Sequence, residues 1–133
     1  MCIRMTFKKK TQKRMKSKLP NGLITVYKVV NKYRGSYHPL CYGGRFRVGL
    51  NTARNQDIYD VDNLWGFHSF KTKSAAKKLF RRGWITSYRE LVKFQIRKTW
   101  IKEIGKETCG CICYITDRIV SPSLRDKSSV VKG

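Results

Sequence analysis

The sequence predicts an α+β domain, an antiparallel β-sheet packed against one main helix, with a basic N-terminal arm ahead of it. Three observations carry that expectation. Arg45–Leu50 and Leu91–Arg97 alternate apolar and polar residues with the two-residue period of a half-buried strand. Lys73–Arg82 instead spaces Ala75, Ala76, Leu79 and Phe80 as one face of a helix. Residues 1–22 hold eight cations and no acid. A chain of 133 residues that is 41% hydrophobic suits one domain with a core of its own.

In chain order, residues 1–22 read as the arm, closed by a Pro20-Asn21-Gly22 turn. Residues 23–120 form the domain, and residues 121–133 a polar, Ser/Lys-rich C-terminal tail. Leu23–Val30 is a β-rich apolar run and reads as a buried strand. In Arg45–Leu50, Phe46, Val48 and Leu50 share one face and Arg45, Arg47 and Gly49 the other, between Gly43-Gly44 and Asn51 as turn residues. Thr72 or Ser74 caps the helix, because a hydroxyl oxygen accepts a bond from a free first-turn amide. Arg81 and Arg82 suit its negative C-terminal end, and Gly83 the left-handed position beyond it. Leu91–Arg97 places Val92, Phe94 and Ile96 together, and Cys111–Val120 supplies a further strand.

Charge indicates the partner. Thirty Lys+Arg against eight Asp+Glu give +22, and +14 remains on residues 23–133 once the arm is set aside. Such an imbalance repels itself unless a polyanion neutralises it, and nucleic acid releases counterions on doing so. The candidate phosphate-binding residues are Arg4, Lys8, Lys9, Lys10, Lys13, Arg14, Lys16 and Lys18 in the arm. Arg45, Arg47, Lys77, Lys78, Arg81, Arg82, Arg97 and Lys98 are their counterparts in the domain. Aromatics interleave with these cations, as in Lys32-Tyr33-Arg34 and Arg97-Lys98-Thr99-Trp100. Exposed rings there would stack on bases, whereas buried ones would fill the core. No glycine-rich phosphate loop, ribonucleoprotein consensus or two-His zinc finger occurs, so weakly sequence-specific backbone binding to DNA or RNA is expected. No apolar run is long enough to span a membrane, and no secretory signal is recognisable.

Five cysteines, an odd number, point to reduced thiols in an intracellular, reducing compartment or within a virion. His38, Cys41, Cys109, Cys111 and Cys113 have metal-ligand chemistry, but a C-x-C spacing on a strand merely puts alternate thiols on one face. The cysteines are expected to pack as small hydrophobes, with no metal and no cofactor. His68, in Trp65-Gly66-Phe67-His68-Ser69-Phe70, is the best candidate for a general base, yet no acid or nucleophile stands at a motif-defined spacing from it. Gly66–Phe70 reads instead as a structural pivot leading into the helix.

The segment Gly66-Phe67-His68-Ser69-Phe70-Lys71-Thr72, with Ala75 and Ala76 after it, resembles a pattern in small uncharacterised proteins of phages and large DNA viruses. There a tyrosine- and glycine-containing strand region, here Tyr37 to Gly44, precedes the motif, and a β-rich segment, here Leu91 to Ile119, follows. The resemblance implies a viral or mobile-element origin and brings no residue roles with it. The expected function is therefore that of a non-enzymatic, strongly basic viral-type protein binding nucleic acid or a nucleoprotein assembly through phosphate contacts. The alternatives are a minor structural or inhibitory module binding an acidic protein surface, and a small-ligand or transferase domain centred on His68.

Overall fold

The computed structural model describes residues 3–39, 45–53, 66–81, 89–107 and 110–131. Its nine strands are β1 (Ile3–Thr6), β2 (Leu23–Tyr33), β3 (Ser36–His38), β4 (Gly49–Thr52), β5 (Phe67–Phe70), β6 (Arg89–Arg97), β7 (Ile101–Glu107), β8 (Ile112–Thr116) and β9 (Arg118–Ser121). Two nine-residue helices accompany them, α1 (Lys9–Ser17) and α2 (Lys73–Arg81). All pairings are antiparallel, in the order β1-β7-β8-β5-β2-β6-β9-β4 with β3 on β2. The expected α+β class, a sheet packed against one main helix, is thus overturned. The molecule is mostly antiparallel β, and its larger core lies between two parts of the sheet.

Connection lengths explain why. Only Lys98–Trp100, a 3₁₀ turn, joins β6 to β7, and only Asp117 joins β8 to β9. Each pair is four strand spacings apart in the sheet order. In a flat sheet that is about 19 Å, at roughly 4.8 Å per spacing. Two residue steps reach no more than about 7 Å, so β8 can enter β9 only if the sheet folds over. The sheet is joined most thinly where β5 meets β2 through the single pair Tyr27↔Phe70 and where β6 meets β9 through the single pair Gln95↔Val120. Between the halves sit Val26, Val30, Val92, Phe94 and Ile96 from one side and Ile101, Ile104 and Tyr114 from the other, with Tyr37, Phe46 and Ile119.

β6 confirms the alternation read from sequence: Val92, Phe94 and Ile96 are fully buried, while Lys93, Gln95 and Arg97 are exposed. β2 has Leu23–Val30 as its first part and runs on to Tyr33. α2 forms where expected, with Ala75 N–H donating to Thr72 Oγ1 at 3.2 Å as the cap. Ala75 and Ala76 pack outside the sheet on Val29, Phe70, Leu91, Cys113 and Ile115. Gly66 is a pivot by necessity: its φ is +138°, and a Cβ there would stand 2.6 Å from the Thr116 carbonyl oxygen. Phe67 then faces the inner core and Phe70 the layer under α2.

Other expectations fail for reasons of long-range packing. Arg45–Leu50 is not one strand: β4 begins at Gly49, Phe46 is buried, but Val48 is 71% and Leu50 55% exposed. The Phe46 N–H binds the Tyr37 carbonyl at 2.8 Å, pulling that one ring into the core, and Gly49 (φ +93°) turns the chain after it. The basic N-terminal segment is built into the sheet, since β1 pairs with β7 from Ile3↔Glu107 to Thr6↔Gly105. The C-terminal stretch is tied down as well. Val130 bridges to Val92, Val131 N–H binds Leu91 O at 2.8 Å, and Val131 is buried.

Candidate nucleic-acid interface

α1 is held by a glutamine. Gln12, 5% exposed, donates from Nε2 to Phe7 O at 2.7 Å and to Glu103 Oε2 at 2.6 Å, and its Oε1 accepts from Ile104 N–H at 3.0 Å. Lys9 Nζ pairs with Glu103 Oε1 at 2.5 Å, and Lys16 Nζ donates to Ile101 O at 3.0 Å. Burial would raise the Glu103 carboxyl, but the hydrogen bonds from Lys9 and Gln12 outweigh it and hold the group below its ordinary value. With Gln12 facing β7, the helix turns Lys10, Lys13 and Arg14 to solvent, flanked by exposed Lys8 and Lys18.

Lys98 Nζ reaches Leu19 O at 3.4 Å and so joins the end of this segment to the β6–β7 turn, where the exposed Arg97 guanidinium lies 6.0 Å from the Trp100 ring. The structure therefore brings the N-terminal cations beside Arg97 and Lys98. Arg45 and Arg47 stand apart from them near the β2–β3 hairpin, both exposed. On α2, Lys78 is exposed and Lys77 half-buried, with Lys71 and Lys73 exposed before them. The side chains of Arg4 and Arg81, and the whole of Arg82 and Gly83, lie outside the described residues. Among the described residues, Lys8, Lys10, Lys13, Arg14, Lys18, Arg45, Arg47, Lys78 and Arg97 are exposed and have no carboxylate partner.

Sequence reasoning missed one feature here and left a second open. Lys28, on the inner face of β2, is buried with Nζ donating to His68 O and lying 5.8 Å from the Phe46 ring, so this cation belongs to the core. Tyr33, at the end of β2 and within the Lys32-Tyr33-Arg34 stretch, is 53% exposed with the Arg34 guanidinium 5.2 Å from its ring. The sequence showed the flanking cations but not whether this ring lies inside or outside.

A cleft of about 290 Å³ opens between Gly35–Tyr37, Arg45–Val48 and the group Ser121, Pro122 and Leu124. Tyr37 closes its inner wall. Burial, followed by Glu90, pushes the Tyr37 phenol up to about 12, so it stays protonated and donates to Glu90 Oε2 at 3.4 Å. His68 does not line this cleft; it is half-buried on β5 opposite Ile115.

Of the cysteines, Cys113 is buried with its Sγ 3.8 Å from Tyr114 O, and Cys111 is disulfide-bonded, which corrects the expectation of five reduced thiols. Cys41 and Cys109 lie outside the described residues, among which no His/Cys/Asp/Glu cluster of metal-binding size occurs. No helix among the described residues is long and apolar enough to cross a membrane. Comparison with family models, with curated proteins and with solved structures gives no match to this chain.

Proposed function

We propose that this is a non-enzymatic, basic protein that binds nucleic acid, free or in a nucleoprotein assembly, through phosphate contacts. The observation that supports it is the exposure, among the described residues, of cations without carboxylate partners in and beside α1, at the β6–β7 turn, in the Arg45–Arg47 stretch and on α2. Only 8 acids accompany 30 cations in the chain, so little on the protein itself competes with phosphate for these groups. The likeness of Gly66–Thr72 to small proteins of phages and large DNA viruses supports a viral setting, with a packaged genome as the natural polyanion.

Binding to a labelled oligonucleotide, titrated against salt, tests this reading. Each phosphate contact contributes about 0.7–0.9 to the slope of log affinity against log salt. Replacing Lys10, Lys13, Arg14 and Lys18 together by Ala is expected to lower the slope by about 3 while leaving the melting temperature near that of the wild type. Point substitution is the right tool, because deleting residues 1–18 would strip β1 and α1 from the sheet. A salt-independent affinity, or stoichiometric capture of an acidic protein that survives nuclease treatment, would overturn the proposal.

A further inference from the structure

We propose that the tip of the β2–β3 hairpin and the cleft beside it form a site for single-stranded nucleic acid, with Tyr33 stacking on an unpaired base and Arg45 and Arg47 holding its phosphates. This deepens the nucleic-acid reading and rests on it.

Tyr33 pairs with Ser36, and Arg34 (φ 49°) and Gly35 (φ 75°) turn the chain between them. A left-handed Arg is uncommon, because only glycine enters that region without a Cβ penalty. This turn puts the Arg34 guanidinium 5.2 Å from the Tyr33 ring, while the His38 ring meets it edge-on at 6.0 Å and His38 Nε2 lies 3.1 Å from Tyr33 O. The ring is thereby braced by its neighbours yet remains half exposed. A large aromatic held at a surface beside a cation is the arrangement that stacks on a base.

The cleft begins at the same turn, with Gly35 and Ser36 in its wall. Arg45 and Arg47 flank Phe46 two residues apart, and the backbone that carries them is fixed at both ends. Phe46 N–H binds Tyr37 O at 2.8 Å, and Asn51 bonds Arg47 twice, Oδ1 accepting from its N–H and Nδ2 donating to its carbonyl, both at 2.9 Å. Neither arginine has an ion-pair partner among the described residues. A volume of about 290 Å³ is at the small end for a ligand pocket and takes one nucleotide unit, not the width of a duplex. A base inside a duplex is already stacked on both faces, so Tyr33 has nothing to gain from it. The rings nearest the α1 cations, Phe7 and Trp100, are more buried than Tyr33, so that surface suits either form of nucleic acid.

Fluorescence anisotropy with a labelled 12-nucleotide oligo-dT, a 12-nucleotide oligo-U and a 12-base-pair duplex separates these contributions. Tyr33→Ala is expected to weaken single-strand binding about 5- to 150-fold, the range for loss of one stacked base, and duplex binding less than twofold. Tyr33→Phe should restore it, since the ring and not the hydroxyl stacks. Arg45→Ala with Arg47→Ala should weaken single-strand binding and flatten its salt slope by about 1.5. Wild-type single-strand affinity in Tyr33→Ala, at unchanged melting temperature, overturns this inference while leaving the nucleic-acid reading in place. Failure of the wild type to bind any of the three probes overturns both.

Discussion

The two helices are nine residues long, rich in lysine and laid against one sheet, but they are attached by different physics. α2 (KSAAKKLFR) turns Ala75 and Ala76 onto an apolar layer whose floor is the fully buried Phe70. α1 (KKTQKRMKS) has no such stripe. It is fastened by Gln12, which bonds a backbone carbonyl, a carboxylate and a backbone amide of the strand pair beside it, while Met15 only borders the core. Apolar burial is non-directional and grows with area, whereas a buried glutamine works only if every one of its bonds is made. An attachment of the first kind tolerates small displacements; one of the second kind is specific but brittle. Both leave some of their cations exposed, Lys10, Lys13 and Arg14 on α1 and Lys73 and Lys78 on α2, which is where a phosphate-binding surface needs them.

Four experiments sharpen this contrast, beginning with the largest effect. Phe70→Ala removes the floor under α2 and is expected to cost about 3–5 kcal/mol in urea unfolding, as large aromatic truncations in cores do. A loss below 1 kcal/mol would mean that the Ala75–Ala76 face is not anchored by apolar packing. Gln12→Leu keeps the volume but strands the Ile104 amide and the Phe7 carbonyl, and should cost about 1–3 kcal/mol. Its signature is local: limited trypsin digestion should cut within Lys8–Lys18 of this variant well before it cuts intact wild type. If the cleavage pattern stays the same, α1 is held by something other than Gln12.

Thr72→Ala deletes the hydroxyl that accepts from Ala75 N–H and should cost about 1 kcal/mol, the usual loss for an N-cap. Thr72→Ser should recover it, and the pair can be compared by thermal melting. The smallest effect is that of pH on α1. Glu103 is held below its ordinary value in the folded protein, so its contribution is full above the unfolded pKa of about 4.3 and is lost as pH falls through the folded one. Hydrogen exchange of the α1 amides should therefore speed up, relative to the rest of the chain, on acidification below about pH 4. In Glu103→Gln the acid-dependent part should vanish, and its persistence would assign the effect to another group.

The same contrast explains what could be read from sequence. The start of α2 was legible, with Thr72 one of the two caps the sequence offered and Ala75 and Ala76 on the buried face, because apolar spacing and N-cap are local; Arg82 and Gly83, read as its C-terminal end, lie outside the described residues. α1 was not, because nothing within Lys9–Ser17 reveals that Gln12 has Ile104 and Glu103 to bind more than ninety residues away. The exposed cations of the candidate interface were legible, since ammonium and guanidinium groups seldom leave water. Lys28 is the exception, buried where the His68 carbonyl and the Phe46 ring receive it. Tyr33 was legible as a cation-flanked ring in Lys32-Tyr33-Arg34, but not as an exposed one, because a ring on a core face and a ring at a hairpin tip can have the same neighbours in sequence.

By itself the sequence determined the charge of the molecule, the inward face of β6, the outer helix α2 and the Gly66 pivot with its two phenylalanines. Each is set by side-chain chemistry or by periodicity within a few residues. Only the tertiary structure decided that the sheet folds over, that the basic N-terminal segment becomes an edge strand and a docked helix, and that Phe46 goes inside while Val48 stays out. Those outcomes rest on pairings between distant segments, such as Ile3 with Glu107 and Phe46 with Tyr37. A local pattern says which face of an element avoids water, but the partner that covers the face is chosen by the closure of the whole chain.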